Sequence, residues 1–254
     1  MDTGIYLNAA GALAAEARLD VIANNIANVD TPGFKKSFTL QRERPPEAFE
    51  PPRIQDRGRP ELDQLGGGLF IQEVRFDATQ GGIHQTSEPL DVAIDGDGWF
   101  GVQVEGETLY TRAGNFRRNA TGTLVTADGH GVVLDSAGGA IQLPDTGVIS
   151  IAANGEITVG EALVGQIGVF GSLDPQLFEP EGGTFHRSKT GTLPLTPPED
   201  TRVRQFVLER STSEPVREMV KMIHTFRAYE TNQRMIALQD QSLGRAVNDV
   251  GKLG

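Results

Sequence analysis

The sequence predicts an α+β fold in which N- and C-terminal helices pair as a coiled coil around an all-β, antiparallel, Gly-rich middle domain. Three observations predict it. Read from Ile5 in alternating steps of three and four, the chain gives Ile5, Asn8, Ala12, Ala15, Leu19, Ile22, Ile26 and Val29, apolar except at Asn8, which is the spacing of a coiled-coil seam. The same reading from Met219 gives Met219, Met222, Phe226, Tyr229, Gln233, Ile236, Asp240, Leu243, Val247 and Val250, apolar except at Gln233 and Asp240. Between these stripes, glycines punctuate short β-type runs. A helix with one apolar stripe and polar flanks is marginal in water until that stripe is covered, so each end of the chain calls for a partner and the two ends suit each other.

The elements follow in order. Residues 1–34 form the N-terminal coiled-coil helix, running from about Gly4 to Asn28. The turn Thr31-Pro32-Gly33-Phe34 terminates it, because proline excludes the helical conformation before it and glycine permits a reversal. Residues 35–80 read as an extended connector. It holds Pro45, Pro46, Pro51, Pro52, Pro60 and Gly66-Gly67-Gly68, with one strand over Leu69–Val74. Residues 81–200 read as the β-rich outer domain, with runs at 90–94, 99–104, 109–112, 123–126, 132–134, 148–151, 156–159 and 166–170. Asn154-Gly155 and Asp128-Gly129 supply hairpin turns, where positive φ must be tolerated. Residues 201–212 carry a return strand over Gln205–Leu208. Residues 213–254 form the C-terminal helix that pairs with 1–34, with Ser213 as its cap and Glu214 and Pro215 in its first turn.

Composition narrows the function. Across 254 residues the net charge is −11, which leaves no general basic surface to displace counterions from phosphates, so no nucleic-acid partner is expected. Arg42, Arg44, Arg53, Arg57 and Arg59 alternate with prolines and acids and read as a solvated linker. Cysteine is absent, which removes disulfides and thiolate metal sites. The N-terminus lacks a basic region and a continuous apolar run, so export without a Sec signal peptide is expected. No segment approaches the roughly 20 apolar residues of a membrane span, and no membrane insertion is expected.

Catalytic chemistry finds no support. His84, His130, His186 and His224 are scattered without metal-ligand spacing. Asp95-Gly96-Asp97-Gly98 reads as a turn, since the further oxygen ligands of a calcium loop are missing. No nucleophile elbow, phosphate loop or dinucleotide fingerprint occurs. The expectation is therefore no enzyme, no catalytic or metal residues and no cofactor, with Met219, Met222 and Phe226 as core or interface.

The segment Val21-Ile22-Ala23-Asn24-Asn25-Ile26-Ala27-Asn28-Val29-Asp30-Thr31-Pro32-Gly33-Phe34-Lys35 closely resembles the N-terminal motif of bacterial flagellar rod and hook proteins. Asp91-Val92-Ala93-Ile94 with Gly98-Trp99-Phe100, then Tyr110-Thr111-Arg112-Ala113-Gly114-Asn115-Phe116, are similar to its central elements. Glu218-Met219-Val220-Lys221-Met222-Ile223 and Arg227-Ala228-Tyr229-Glu230-Thr231-Asn232 are similar to its C-terminal one. Where the family carries Glu-x-Ser-Asn-Val before the second helix, this chain has Glu209-Arg210-Ser211-Thr212-Ser213.

The resemblance implies a structural subunit of the flagellar basal-body rod. Such a subunit polymerises through its terminal helices into a hollow tube across the periplasm, with itself, other rod and hook proteins and the flagellar export apparatus as partners. Met1-Asp2, Ile5-Tyr6, Trp99 and Pro215 look like the proximal-rod type, which is the expectation; Asn24-Asn25 and Arg227-Ala228-Tyr229-Glu230 look like the distal-rod type, which is the alternative. Ile5, Ala12, Leu19, Ile22, Ile26, Val29, Met219, Met222, Phe226, Tyr229, Ile236, Leu243 and Val247 are then the assembly seam. Asn24, Asn25 and Asn28 would set register or contact neighbouring subunits, so that Asn25→Leu leaves subunit folding intact and disturbs assembly. A reading of a different class is a secreted β-rich carbohydrate-active enzyme or adhesin whose terminal helices oligomerise it.

Overall fold

The computed structural model describes residues 2–43, 69–171, 175–191, 193–194 and 201–250. The connector stretch 44–68, with Arg44, Arg53, Arg57, Arg59, its prolines and Gly66-Gly67-Gly68, lies outside the described residues, as do Pro197 and Pro198. In chain order the elements are α1 (Asp2–Ala27), β1 (Ser37–Glu43), β2 (Leu69–Phe76), β3 (Ile83–Gln85), β4 (Val92–Asp95), β5 (Trp99–Val104), β6 (Glu107–Thr111), β7 (Arg117–Arg118), β8 (Leu124–Val125) and β9 (Val132–Val133). They continue with β10 (Ile149–Ile151), β11 (Glu156–Val159), β12 (Ala162–Gln166), β13 (Val169–Phe170), β14 (Phe178–Gly182), β15 (Phe185–Ser188), β16 (Arg202–Gln205), β17 (Val207–Glu209) and α2 (Pro215–Val250).

These residues form two compact units. One takes residues 2–24, 38–43, 69–74 and 216–250, and the other takes 25–37 and 75–215. In the first unit α1 and α2 pack antiparallel. Asn8 Nδ2 donates to Gln239 Oε1 at 3.3 Å, and seven residues on from Gly4, which faces Gln239, Gly11 faces Asn232. β1 pairs with β2, and Arg18 of α1 reaches Gln41 of β1 at 2.6 Å. Ala14, one turn earlier on the same side of α1, is buried.

The second unit is almost entirely antiparallel β. Its largest sheet runs β14-β15-β6-β5-β9-β8-β7, with β13 also on β5, beside a three-stranded sheet β10-β11-β12 and the pairs β16–β4 and β17–β3. In the β5–β6 register Phe100 lies opposite Thr111, Gly101 opposite Tyr110 and Val102 opposite Leu109. Phe100, Val102 and Leu109 point into an aliphatic core with Val92, Val133 and Ile157. Trp99 and Tyr110 point the other way, into an aromatic cluster with Phe76, Phe170 and Phe178. Burial on both faces over residues 99–102 explains why the start of β5 reads as an apolar run rather than an alternation.

Each of the β-type runs from 90–94 to 166–170 meets a strand. Gly129 and Gly155 sit at positive φ, 79° and 85°, in the β8–β9 and β10–β11 turns. The run over Gln205–Leu208 is two strands rather than one, because Phe206 has φ 61°. Phe206 N donates to Asp91 O at 2.9 Å and its carbonyl accepts from Thr86 N at 2.7 Å, which turns the chain from β4 onto β3. The β14–β15 hairpin carries Pro180 and Gly182 inside a strand, residues whose propensity argues against one and conceals it in the sequence.

Candidate assembly interface

On α1 the sequence-predicted seam lies inward. Ala12, Ala15 and Ile22 are buried, and Ile5, Leu19 and Ile26 are half-buried, as is Val29 beyond the helix end. Among the described side chains of α2 the least exposed are Glu218, Met222, Thr225, Tyr229, Asn232, Ile236, Gln239 and Leu243, again in alternating steps of four and three. Met222, Tyr229, Ile236 and Leu243 belong to the apolar stripe read from the sequence. The second row of the seam, however, is polar and one residue away from Met219, Phe226, Gln233 and Asp240. Met219 and Phe226 are 47% and 50% exposed, alongside Val216, Val220 and Ile223. The side chain of Val247 lies outside the described residues.

The physical reason for this offset lies in α1. A Cβ on Gly11 would come within 3.0 Å of Asn232 Nδ2, and one on Gly4 within 2.5 Å of Gln239 Nε2. The glycines are notches seven residues apart that admit long amides, whose polar ends find partners such as Asn8. Apolar Met219 and Phe226 are thereby turned outward.

The asparagine-rich end of α1 behaves differently from the seam. Asn25 is buried, 2% exposed; its Nδ2 donates to Ser37 O at 2.8 Å and its Oδ1 accepts from Ser37 N at 2.8 Å. The amide thus acts as a strand partner for the first residue of β1, within the chain. Asn28 Oδ1 accepts from Thr31 Oγ1 at 3.2 Å in the terminating turn, while Asn24 is exposed. In that turn Thr31 and Pro32 are half-buried and Gly33 and Phe34 are buried. Gly33 has φ 68°, and a Cβ there would strike the Arg112 carbonyl group, so only glycine fits.

The turn leads into a buried ionic cluster. Lys35 Nζ lies 2.5 Å from Glu209 Oε1, both side chains fully buried, and Arg112 Nη1 lies 3.4 Å from Glu209 Oε2. Lys35 also donates to Thr79 O at 2.6 Å, Gly81 N donates to Glu209 Oε1 at 2.7 Å, and Arg112 Nη2 donates to Gly96 O at 2.9 Å. Burial pulls the Lys35 ammonium below its ordinary range, and the Glu209 carboxylate opposes that pull. The Arg112 guanidinium also stands 5.5 Å over the Trp99 ring, a cation–π contact. His186, packed 4.2 Å from the Phe76 ring and 5.0 Å from Trp99, is held to about 3 by desolvation and by the Lys35 charge, so it is neutral. The bend Asp95-Gly96-Asp97-Gly98 is the turn between β4 and β5. Among the described residues no group of three or more acids and histidines is placed to hold a metal ion.

Lys35, Arg112 and Glu209 each look like an ordinary surface charge in the sequence. Their only signal is position: Lys35 closes the first quoted motif, Arg112 lies in the Tyr110–Phe116 motif and Glu209 opens the step before the second helix.

Paired terminal helices, with a β unit inserted between them in the sequence, are a pattern that known proteins of one class share. Residues 7–35 match the model of the flagella basal body rod protein, 93–159 that of the flagellar hook protein FlgE/F/G D1 domain, and 204–249 that of the flagellar basal body rod FlgEFG protein C-terminal region. The chain is 34% identical over the whole of both chains to the flagellar basal-body rod protein FlgF of Caulobacter vibrioides. It is 36% identical to FlgG of Agrobacterium fabrum, covering 93% of this chain and 95% of that one. With FlgG of Bacillus subtilis the identity is 32%, over 96% and 97%. The chain belongs to the flagellar basal-body rod protein family.

Proposed function

We propose that this chain is a structural subunit of the rod that polymerises through its terminal helices into a hollow helical tube, transmits torque across the periplasm and stands at the proximal end. The observation that carries assembly is the outer side of the first turns of α2. Val216, Met219, Val220, Ile223 and Phe226, within eleven residues, are all between 47% and 69% exposed. Each is already partly covered, so burying the remainder contributes on the order of 1 to 2 kcal/mol per side chain, and the five together offset much of the cost of association. A contact between two different surfaces, repeated head to tail without closing, builds a helical filament. In this reading the helices line the tube and the β unit forms its outer layer.

The relatives support rod membership and are named for both FlgF and FlgG at comparable identity. The proximal position therefore rests on Met1-Asp2, Ile5-Tyr6, Trp99 and Pro215, with the distal position as alternative. The family is one of structural proteins, which weighs against the enzyme reading. No described helix is long and apolar enough to cross a membrane. Secretion by the flagellar export apparatus, with other rod and hook proteins as neighbours, completes the proposal. Purified hook–basal bodies probed for the tagged chain and crosslinked in place test it. Recovery in the rod with crosslinks toward the membrane-side rod proteins is expected; crosslinks to the hook-side neighbours alone would move it to the distal rod, and absence from the organelle would remove the proposal.

A further inference from the structure

Glu209 stands where the two links to the terminal helices meet, and its bonds reach unusually far along the chain. Its carboxylate accepts from Lys35 at 2.5 Å, from Gly81 N at 2.7 Å and from Arg112 at 3.4 Å; Lys35 is 174 residues away. Its carbonyl accepts from Gly33 N at 2.8 Å, and its neighbours continue the join: Arg210 N donates to Gly82 O at 2.8 Å and Thr212 N to Phe34 O at 3.0 Å. Lys36 N donates to Thr212 Oγ1 at 2.9 Å.

We infer that Glu209 is a charge clamp that makes docking of the N-terminal link, residues 25–37, and of the C-terminal link, residues 207–214, a single cooperative event. The reason is electrostatic. Lys35 and Arg112 are both buried cations, 0% and 4% exposed in their side chains, and the only carboxylate within ion-pair distance of either, among the described residues, is Glu209. Breaking a buried pair by removing one partner leaves an uncompensated charge and is strongly unfavourable. With the C-terminal link undocked, the N-terminal turn would bury an ammonium beside a guanidinium with no carboxylate in contact, Asp77 and Asp97 acting only from farther off. With the N-terminal link undocked, Glu209 loses its shortest bond. Each link therefore holds the other, and the roots of both helices, ending at Ala27 and starting at Pro215, are released or fixed together. This holds whether or not the chain is a proximal-rod subunit.

The test is amide hydrogen exchange on the full-length chain. In Glu209→Gln, exchange at Gly33, Lys36, Arg210 and Thr212 is expected to accelerate by a common factor of roughly a hundred, while β5 and β6 keep their protection. Lys35→Met, which leaves Glu209 paired with Arg112, is expected to accelerate Arg210 and Thr212 from the far side of the join. Adding Lys35→Met to Glu209→Gln should restore part of the protection at both links. Acceleration confined to the mutated link, equal acceleration of β5 and β6, or no restoration in the double variant would each overturn the inference.

Discussion

At the residue scale, Asn25 is a motif position whose amide already has partners within the subunit. Resemblance and helix position point to a register or subunit contact, yet the amide bonds both backbone groups of Ser37 inside the chain. Asn25→Leu leaves a donor and an acceptor unpaired, at about 1 to 3 kcal/mol for a buried group. A drop of about 2 kcal/mol in the stability of the free subunit is therefore expected, read as a lower urea midpoint; an unchanged midpoint with failed assembly would return Asn25 to the subunit interface. His186 sets a pH response. Its folded-state value is depressed to about 3 from an ordinary 6.5, so between those limits the unfolded chain binds a proton that the folded chain does not. Stability from this group is thus full above pH 6.5 and falls as pH falls toward 3, at about 1.4 kcal/mol per pH unit well inside the window. His186→Phe, which keeps an aromatic ring against Phe76 and Trp99, should remove about 2 to 3 kcal/mol of the loss seen between pH 7 and 4.5. Melting temperatures of both chains at the two pH values check this, and parallel slopes would contradict it.

At the element scale, both helices and each apolar β run were legible because periodicity and turn dipeptides are local signals. The offset on α2 was not. Heptad counting prefers Met219 and Phe226 because they are apolar, whereas the seam is decided by Gly4 and Gly11 of α1, which lie more than 200 residues away in the chain and accept Gln239 and Asn232. The break at Phe206 was hidden for a similar reason: a non-glycine residue at positive φ is held there by Asp91 and Thr86, not by its own propensity. The ionic cluster was illegible because burial of a charge depends wholly on what folds over it. Two variants separate the faces of α2. Phe226→Ser should leave subunit stability within about 0.5 kcal/mol, as for an exposed position, and lower the yield of assembled rods. Ile236→Ser, on the inner face, should reduce the helical signal of the free subunit. Equal loss of helicity in both variants would mean that Phe226 packs within the subunit.

At the scale of the whole molecule, the chain pairs its ends through a partly polar seam and leaves the more apolar side of α2 uncovered, an arrangement suited to a subunit that completes its core in an assembly. The two helices, of 26 and 36 residues, are long enough to present that side over many turns, and within the β unit Glu209 joins residues 25–37 to residues 207–214. Because the chain has no cysteine, one introduced thiol reports on one position without background. The most direct measurement is the maleimide reactivity of Ile223→Cys in the free subunit and in isolated hook–basal bodies. The account predicts rapid labelling of the free subunit and strong protection in the organelle; labelling at the same rate in both states would contradict it.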